Sequence, residues 1–451
     1  MHSLSSMKIL LGLSAITSFG AMLGLVIGFS PLFPVVAAGG ALALFLLFRA
    51  PLMLLFALIV IRMSLDYSSQ YVSLSFYQIT LTLSQLVGVG IAGLGILILF
   101  FQRRFLARFP LNLPFFLIFL WGGLTLAYSI APATTLQELL RVFDLFVLGF
   151  LAYATVRTED QFRRLLLAFF VSGILPVLFG LYQFVFHIGL ADENVSILRI
   201  FGTFSHPNVY SIYLFALIVF GVLYLALFAR SVWQRLLILT LLGIFTLMLL
   251  LTFARVAWVA LFLFVFLIAL FRYRLLLFPL FLFPFVLFVF SQSFQERVNE
   301  SFQSDPDSSL LWRTTLWKDV TRYSVQEERT LLGSGMDTFP RVSESLRGTS
   351  HGPNDPHNDW VKFFIEGGVV GVGVLALYLS LIGRLLIRGY RMSRTGSGLA
   401  TAYGIMFVFF LTLQISALTD NIFKNTPVEW LFFTALGALL ALSETKKKPK
   451  Q

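Results

Sequence analysis

The sequence predicts an all-α, polytopic integral membrane protein of about 14 transmembrane helices, with a small, mostly helical extracytoplasmic loop subdomain. Three observations lead there. Of 451 residues, 58% are hydrophobic and 12% charged, with a strongly positive mean hydropathy, a balance far from that of a soluble domain. Apolar runs of about 17–25 residues recur along nearly the whole chain, each long enough to cross the hydrocarbon layer as a helix. Lipid leaves the edges of an open sheet unpaired, so sheet is essentially excluded.

In chain order, the stretch MHSLSSMKILLGLSAITSFGAMLGLVIGF starts basic and turns apolar, like a signal peptide. It is too long for one and runs straight into another span, so it reads as a retained first helix near 8–28. Further spans fall near 31–49, 51–66, 79–101, 110–130, 142–157 and 163–187. The second half gives 208–229, 234–251, 253–271, 273–291, 358–384, 398–419 and 427–442. This divides the chain into N-terminal spans (1–187), spans that carry outer-face arginines (188–291), a loop subdomain (292–356), and C-terminal spans with a basic tail (357–451). Arg62 with Asp66, Arg141 with Asp144, and Lys362 with Glu366 lie three or four residues apart in or beside spans, where pairing on one helical face accounts for them. The 51 phenylalanines read as lipid-facing or inter-helix packing, and no cofactor is expected.

The net charge of +11 does not mark a nucleic-acid binder, because the Lys and Arg residues form short clusters between spans rather than one basic face. The clusters are Arg103, Arg104 and Arg108; Arg157, Arg163 and Arg164; Arg230 and Arg235; Arg272 and Arg274; and Arg384, Arg388, Arg391 and Arg394. They occupy alternate connections, and the tail Lys446, Lys447, Lys448 and Lys450 continues the alternation, so both termini are expected in the cytoplasm. Cysteine is absent, which removes disulfide frameworks and thiolate metal sites.

On the opposite face lie the connection 188–207, the turn Thr252–Arg255 and the segment 292–356. Positive-inside bias works against cations there, so Arg199 in RIFGTFSHPN, Arg255 in LLLTFARVAW, Arg313 in LWRTTLW and Arg341 in FPRVSESL each ask for a reason. A charge central in a span costs about 2.5–3.5 kcal/mol on insertion scales, so Arg255 needs a partner or a watery cavity. The plainer alternative is that it snorkels to the interface. Guanidinium groups offer paired, permanently charged donors, so two converging arginines can hold a diphosphate and stabilise it as a leaving group. Asp305 with Asp307 and Asp355 with Asp359 are isolated pairs, so no metal site is assigned.

The stretch Pro353–Gly371, PNDPHNDWVKFFIEGGVVG, is where the longest polar segment runs into an apolar helix. His357 and Asn358 sit at that helix start, where free N–H groups and the positive dipole end favour an anion. Two of the five histidines, His351 and His357, fall in this segment. Histidine titrates near neutrality, which suits His357 as a general base, with Asp355 or Glu366 to orient it. In the alternative reading Asn354, Asp355 and Asn358 cap the helix and His357 is a solvated loop residue.

RIFGTFSHPN, then TFAR, then RTTLW followed by GSGMDTF, then PHNDWVKFFIEGGVVG: in this order the motifs resemble the O-antigen ligase and O-antigen polymerase superfamily, over a little more than the C-terminal half of the chain. The resemblance implies a bacterial inner-membrane, GT-C-like glycosyltransferase, metal-independent and inverting, acting on the periplasmic or external face. Its donor would be a glycan on undecaprenyl diphosphate. The family's functional positions fall on Arg199, Arg255 and His357, with Arg313 and Asn208 at further commonly occupied positions and His206 where members vary. Arg341, Asn358, Asp355 and Glu366 complete the expected site. A glycan acceptor makes the enzyme a surface-polysaccharide polymerase, which the sizeable outer loop favours. A lipid A-core acceptor makes it a ligase of lipopolysaccharide biosynthesis. Other polysaccharide assembly proteins are expected partners beside the lipid bilayer. A non-enzymatic flippase or exporter is the remaining alternative, but it should line a midplane path with charges, whereas these arginines gather toward one face.

Overall fold

The computed structural model describes residues 33–66, 73–76, 79–192, 197–271, 274–299, 309–347 and 354–445. The expected first span near 8–28, His351 and the lysine tail lie outside them. From residue 31 onward each expected span overlies a helix. The first are α1 (Phe33–Arg49), α2 (Pro51–Leu65) and α3 (Leu83–Phe101), then the short α4 (Arg103–Leu106), α5 (Asn112–Thr125) and α6 (Pro132–Thr155). α7 (Glu159–Ser172) and α8 (Ile174–Val185) follow, then α9 (Pro207–Leu227), α10 (Val232–Leu251) and α11 (Arg255–Phe271). α12 (Leu277–Phe290) and α13 (Gln292–Asn299) lead into α14 (Ser309–Gln326) and α15 (Phe339–Arg347). The chain closes with α16 (Asp359–Met392), α17 (Gly398–Ser416) and α18 (Thr426–Thr445).

The expected span count is not reached. Among the described residues 7 helices are long and apolar enough to cross a membrane, or 8 if α12 and α13, bent by 100°, form one broken span. α2, α5 and α11 are apolar but have only 15, 14 and 17 residues. α6 departs from expectation differently: it begins at Pro132, ten residues before the predicted start, and runs for 24 residues. The hydropathy window misplaced it because Glu138 and Arg141 lie in its first half. Arg141 is neutralised there by Glu138 at 2.7 Å and by Glu429 of α18, so the helix carries its charges into the bundle as pairs.

Sheet is present after all, confined to two small antiparallel hairpins. β1 (Ser73–Phe76) pairs with β2 (Ile79–Thr82), and β3 (Leu190–Asp192) pairs with β4 (Ile197–Arg199), Leu190 opposite Arg199. Both lie in connections between helices, where two adjacent strands satisfy each other's backbone locally.

The core is built round α9 and α18, which are buried along almost their whole length. α18 lies so close against α6 that a Cβ on Gly437 would collide with the Gly149 carbonyl, a small-residue crossing of the kind that lets membrane helices pack. On one face, α14 and α15 pack on the start of α16 through Leu316, Val320, Phe339, Val342 and Ile365. α16 is interrupted at Gly368, whose φ of 59° is non-helical. The interruption frees carbonyls, and the GSGMDTF stretch takes them up: Ser334 N–H donates to Ile365 O (3.0 Å) and Gly335 N–H to Glu366 O (2.9 Å). The segment between α14 and α15 is thereby tied by backbone bonds to the helix that His357 precedes.

Candidate functional site

The site assembles where three helices begin. Pro207 at the first position of α9 has no N–H to lose, and His206 before it caps the helix, its Nδ1 accepting the Asn208 N–H at 3.1 Å. A backbone N–H can only donate, so the neutral His206 ring carries its proton on Nε2. Burial, with the Arg199 charge close by, pushes its pKa down to about 4, which keeps it neutral.

Arg199, at the end of β4, is 8% exposed. Its Nε donates to Thr252 O at 3.0 Å, and its Nη2 to Asn208 Oδ1 at 2.9 Å. Asn208 turns the other end of its amide to Asp420, Nδ2 to Oδ2 at 3.1 Å. Asp420, in the connection between α17 and α18, meets His357 Nδ1 with its second oxygen at 2.9 Å and accepts the Asn421 N–H there as well, also at 2.9 Å. Arg313 of α14 donates to Thr419 O, one residue away, at 2.9 Å. Burial by itself disfavours an ionised Asp420, but the His357 hydrogen bond, the Asn421 N–H and the Arg313 charge hold its carboxyl below the usual range. An ionised Asp420 only accepts, so the proton between the two sits on His357 Nδ1, and in the neutral tautomer this fixes, Nε2 is the ring nitrogen with the lone pair.

Two loop residues of this site have left-handed backbones, His357 with φ 47° and Phe253 with φ 49°. Non-glycine residues adopt that region at a cost and only where the surroundings hold them. For His357 the surroundings include Trp317 of α14, whose Nε1–H donates to Pro356 O at 2.7 Å.

One bonded path therefore runs Arg199–Asn208–Asp420–His357, with His206 at its edge and Arg313 beside Asp420. Arg255 opens α11 three residues after the Thr252 carbonyl that Arg199 holds. The other expected residues fall elsewhere. Asn358 is the cap of α16, accepting from the N–H groups of Trp360 and Val361. Neither candidate for orienting His357 does so: Asp355 lies 3.8 Å from Lys424, and Glu366 is buried against Lys362 at 2.8 Å while accepting the Phe339 N–H. Arg341 is 64% exposed and pairs with Glu344 on the surface of α15.

Asp420, which does orient His357, escaped the sequence reading because the partner was sought within the histidine's own segment, at Asp355 and Glu366, and Asp420 lies 63 residues further on. The available signal was LTDN, a carboxylate in a short loop between two apolar helices on the same face as Arg199. A cavity lined by Glu138, Arg141, Lys362, Glu366, Tyr378 and Glu429 shares no residue with the path, and its cations pair with its own carboxylates.

Residues 240–376 match the family model described as O-antigen ligase. Over that stretch the chain is similar to the O-antigen ligase family. Members of that family are glycosyltransferase-like enzymes. The matched O-antigen ligase region takes in Arg255, Arg313, the GSGMDTF stretch and His357, and leaves Arg199 and Asn208 on one side and Asp420 on the other. No curated protein matches the chain.

Proposed function

We propose that the protein transfers a glycan from undecaprenyl diphosphate to an acceptor hydroxyl on the periplasmic or external face of the bacterial inner membrane, both termini being cytoplasmic. The observation that carries this reading is the bonded path from Arg199 to His357, which joins a candidate diphosphate clamp to a candidate base whose free nitrogen is defined. Arg199 and Arg255 hold the diphosphate, with Arg313 adding positive charge and His206 Nε2–H a neutral donor. His357 Nε2 takes the proton of the acceptor hydroxyl as its oxygen attacks the anomeric carbon from the face opposite the diphosphate. The new glycosidic bond forms, the bond to the diphosphate oxygen breaks with inversion, and undecaprenyl diphosphate leaves. Asp420 stabilises the imidazolium formed on the way. The guanidinium groups meet the charge that develops on the leaving group, so the step is metal-independent.

The acceptor is a second lipid-linked glycan, which makes the protein a polymerase. The packed α14–α15 layer above the site supports that, since a growing glycan needs an outer surface to rest on. A ligase acting on lipid A-core is the second reading, favoured by the description of the matching family. Purified protein in proteoliposomes with lipid-linked repeat units tests both. Longer chains without added acceptor mean polymerase, transfer only to core oligosaccharide means ligase, and movement of the lipid with no new glycosidic bond means a carrier and ends the enzyme reading. Arg255→Ala and His357→Ala should each lower transfer, the latter by about 10²–10⁴-fold.

A further inference from the structure

The turn that precedes Arg255 is held from two sides. Arg199 takes the Thr252 carbonyl, and the next carbonyl, that of Phe253, accepts Nε–H of Arg297 at 3.1 Å. Arg297 lies on α13 and is 6% exposed. α13 meets α12 at a bend of 100°, and α12 has no buried residue of its own. Two contacts tie the short helix to the start of α11. Phe294 stacks on Trp258 with ring centroids 4.7 Å apart and 24° between planes, and Arg297 reaches Phe253 O. Phe253 carries the left-handed backbone, a conformation that relaxes unless something fixes it. Arg255 is two residues further on, and Trp258 lies one turn along α11 on the same face as Arg255.

We propose that Arg297 is a positioning residue for donor binding. By holding the Phe253 carbonyl it fixes the direction in which Arg255 leaves the turn, and it makes that direction depend on α13 being docked. This rests on the reading that Arg255 meets the donor diphosphate. It adds a residue outside the recognised motifs.

The test uses the full chain in proteoliposomes with the lipid-linked glycan donor, following kcat and the KM for donor and for acceptor separately. Arg297→Met should raise the donor KM about tenfold, the effect of losing one charge-assisted hydrogen bond, and leave the acceptor KM within twofold. Arg297→Gln, whose amide can still donate to Phe253 O, should recover most of the loss. If Arg297→Met does not fold, Arg297→Glu, whose carboxylate only accepts and cannot donate to Phe253 O, is compared with Arg297→Gln of the same length. In an Arg255→Lys background, Arg297→Met should add less than twofold, because its effect passes through Arg255. A wild-type donor KM in Arg297→Met, an equal rise in both KM values, or a full tenfold loss on top of Arg255→Lys overturns the inference alone. An unchanged donor KM in Arg255→Lys overturns the diphosphate reading, and this inference with it.

Discussion

Asp420 and His206 show how two side chains of the same loop cluster are held in opposite roles. The Asp420 carboxyl sits below its usual range, so the folded state loses stability as pH falls through that lowered value. His206 sits near 4 against an ordinary 6.5. Between those values the unfolded chain binds the extra proton and the folded one does not, so stability rises with pH across that window and is flat above it. The melting temperature should therefore fall on acidification from 6.5 to 4, and His206→Asn should flatten that slope while keeping the cap, since asparagine caps as well. Activity should fall in His206→Asn, through loss of the Nε2–H donor, by about tenfold in donor KM. Arg341→Ala should change transfer by less than about twofold, because an exposed pair with Glu344 is worth little. The outer-face arginines were legible one at a time from charge bias. Which of them converge was not, because convergence is decided by Asn208 and Asp420, ordinary polar residues with no pattern of their own.

At the level of elements, hydropathy located the helices and misjudged their ends. It read α6 as starting after Glu138 and Arg141, since a window cannot see that Arg141 is paired with Glu138 and with Glu429 some 288 residues away. It read one continuous span in α16, where Gly367 and Gly368 break the helix to receive the GSGMDTF stretch. The cue was the glycine pair, and the partner was an outer segment 31 residues earlier, from Ser334 to Ile365. Gly368→Ala should place a methyl against the Leu331 backbone and force a left-handed alanine. A loss of about 2–4 kcal/mol is expected from the two effects together, read as a lowered melting temperature in detergent. Activity should fall with it, because the same loop carries Asp337, whose carboxylate pairs with Lys362 at 3.2 Å and Lys424 at 2.8 Å beside the His357 connection.

Across the whole molecule, the α14–α15 layer and the bundle of apolar helices meet at loop ends, and the Arg199–His357 path runs among those loop ends. The absence of native cysteine makes the proposed topology open to direct measurement. A cysteine in place of Glu344 should react with an impermeant maleimide from the periplasmic side, and one in place of Arg163 only after the membrane is opened. The reverse pattern would put the catalytic cluster on the cytoplasmic face.

Transfer measured on Asp420→Asn, His357→Gln and the double variant probes the bonded path most directly. If Asp420 acts only by orienting and charging His357, each single change lowers kcat by about 10²-fold or more and the double variant is no worse than His357→Gln alone. A wild-type rate in Asp420→Asn, or losses that multiply in the double variant, would mean that the two residues do not work as one unit.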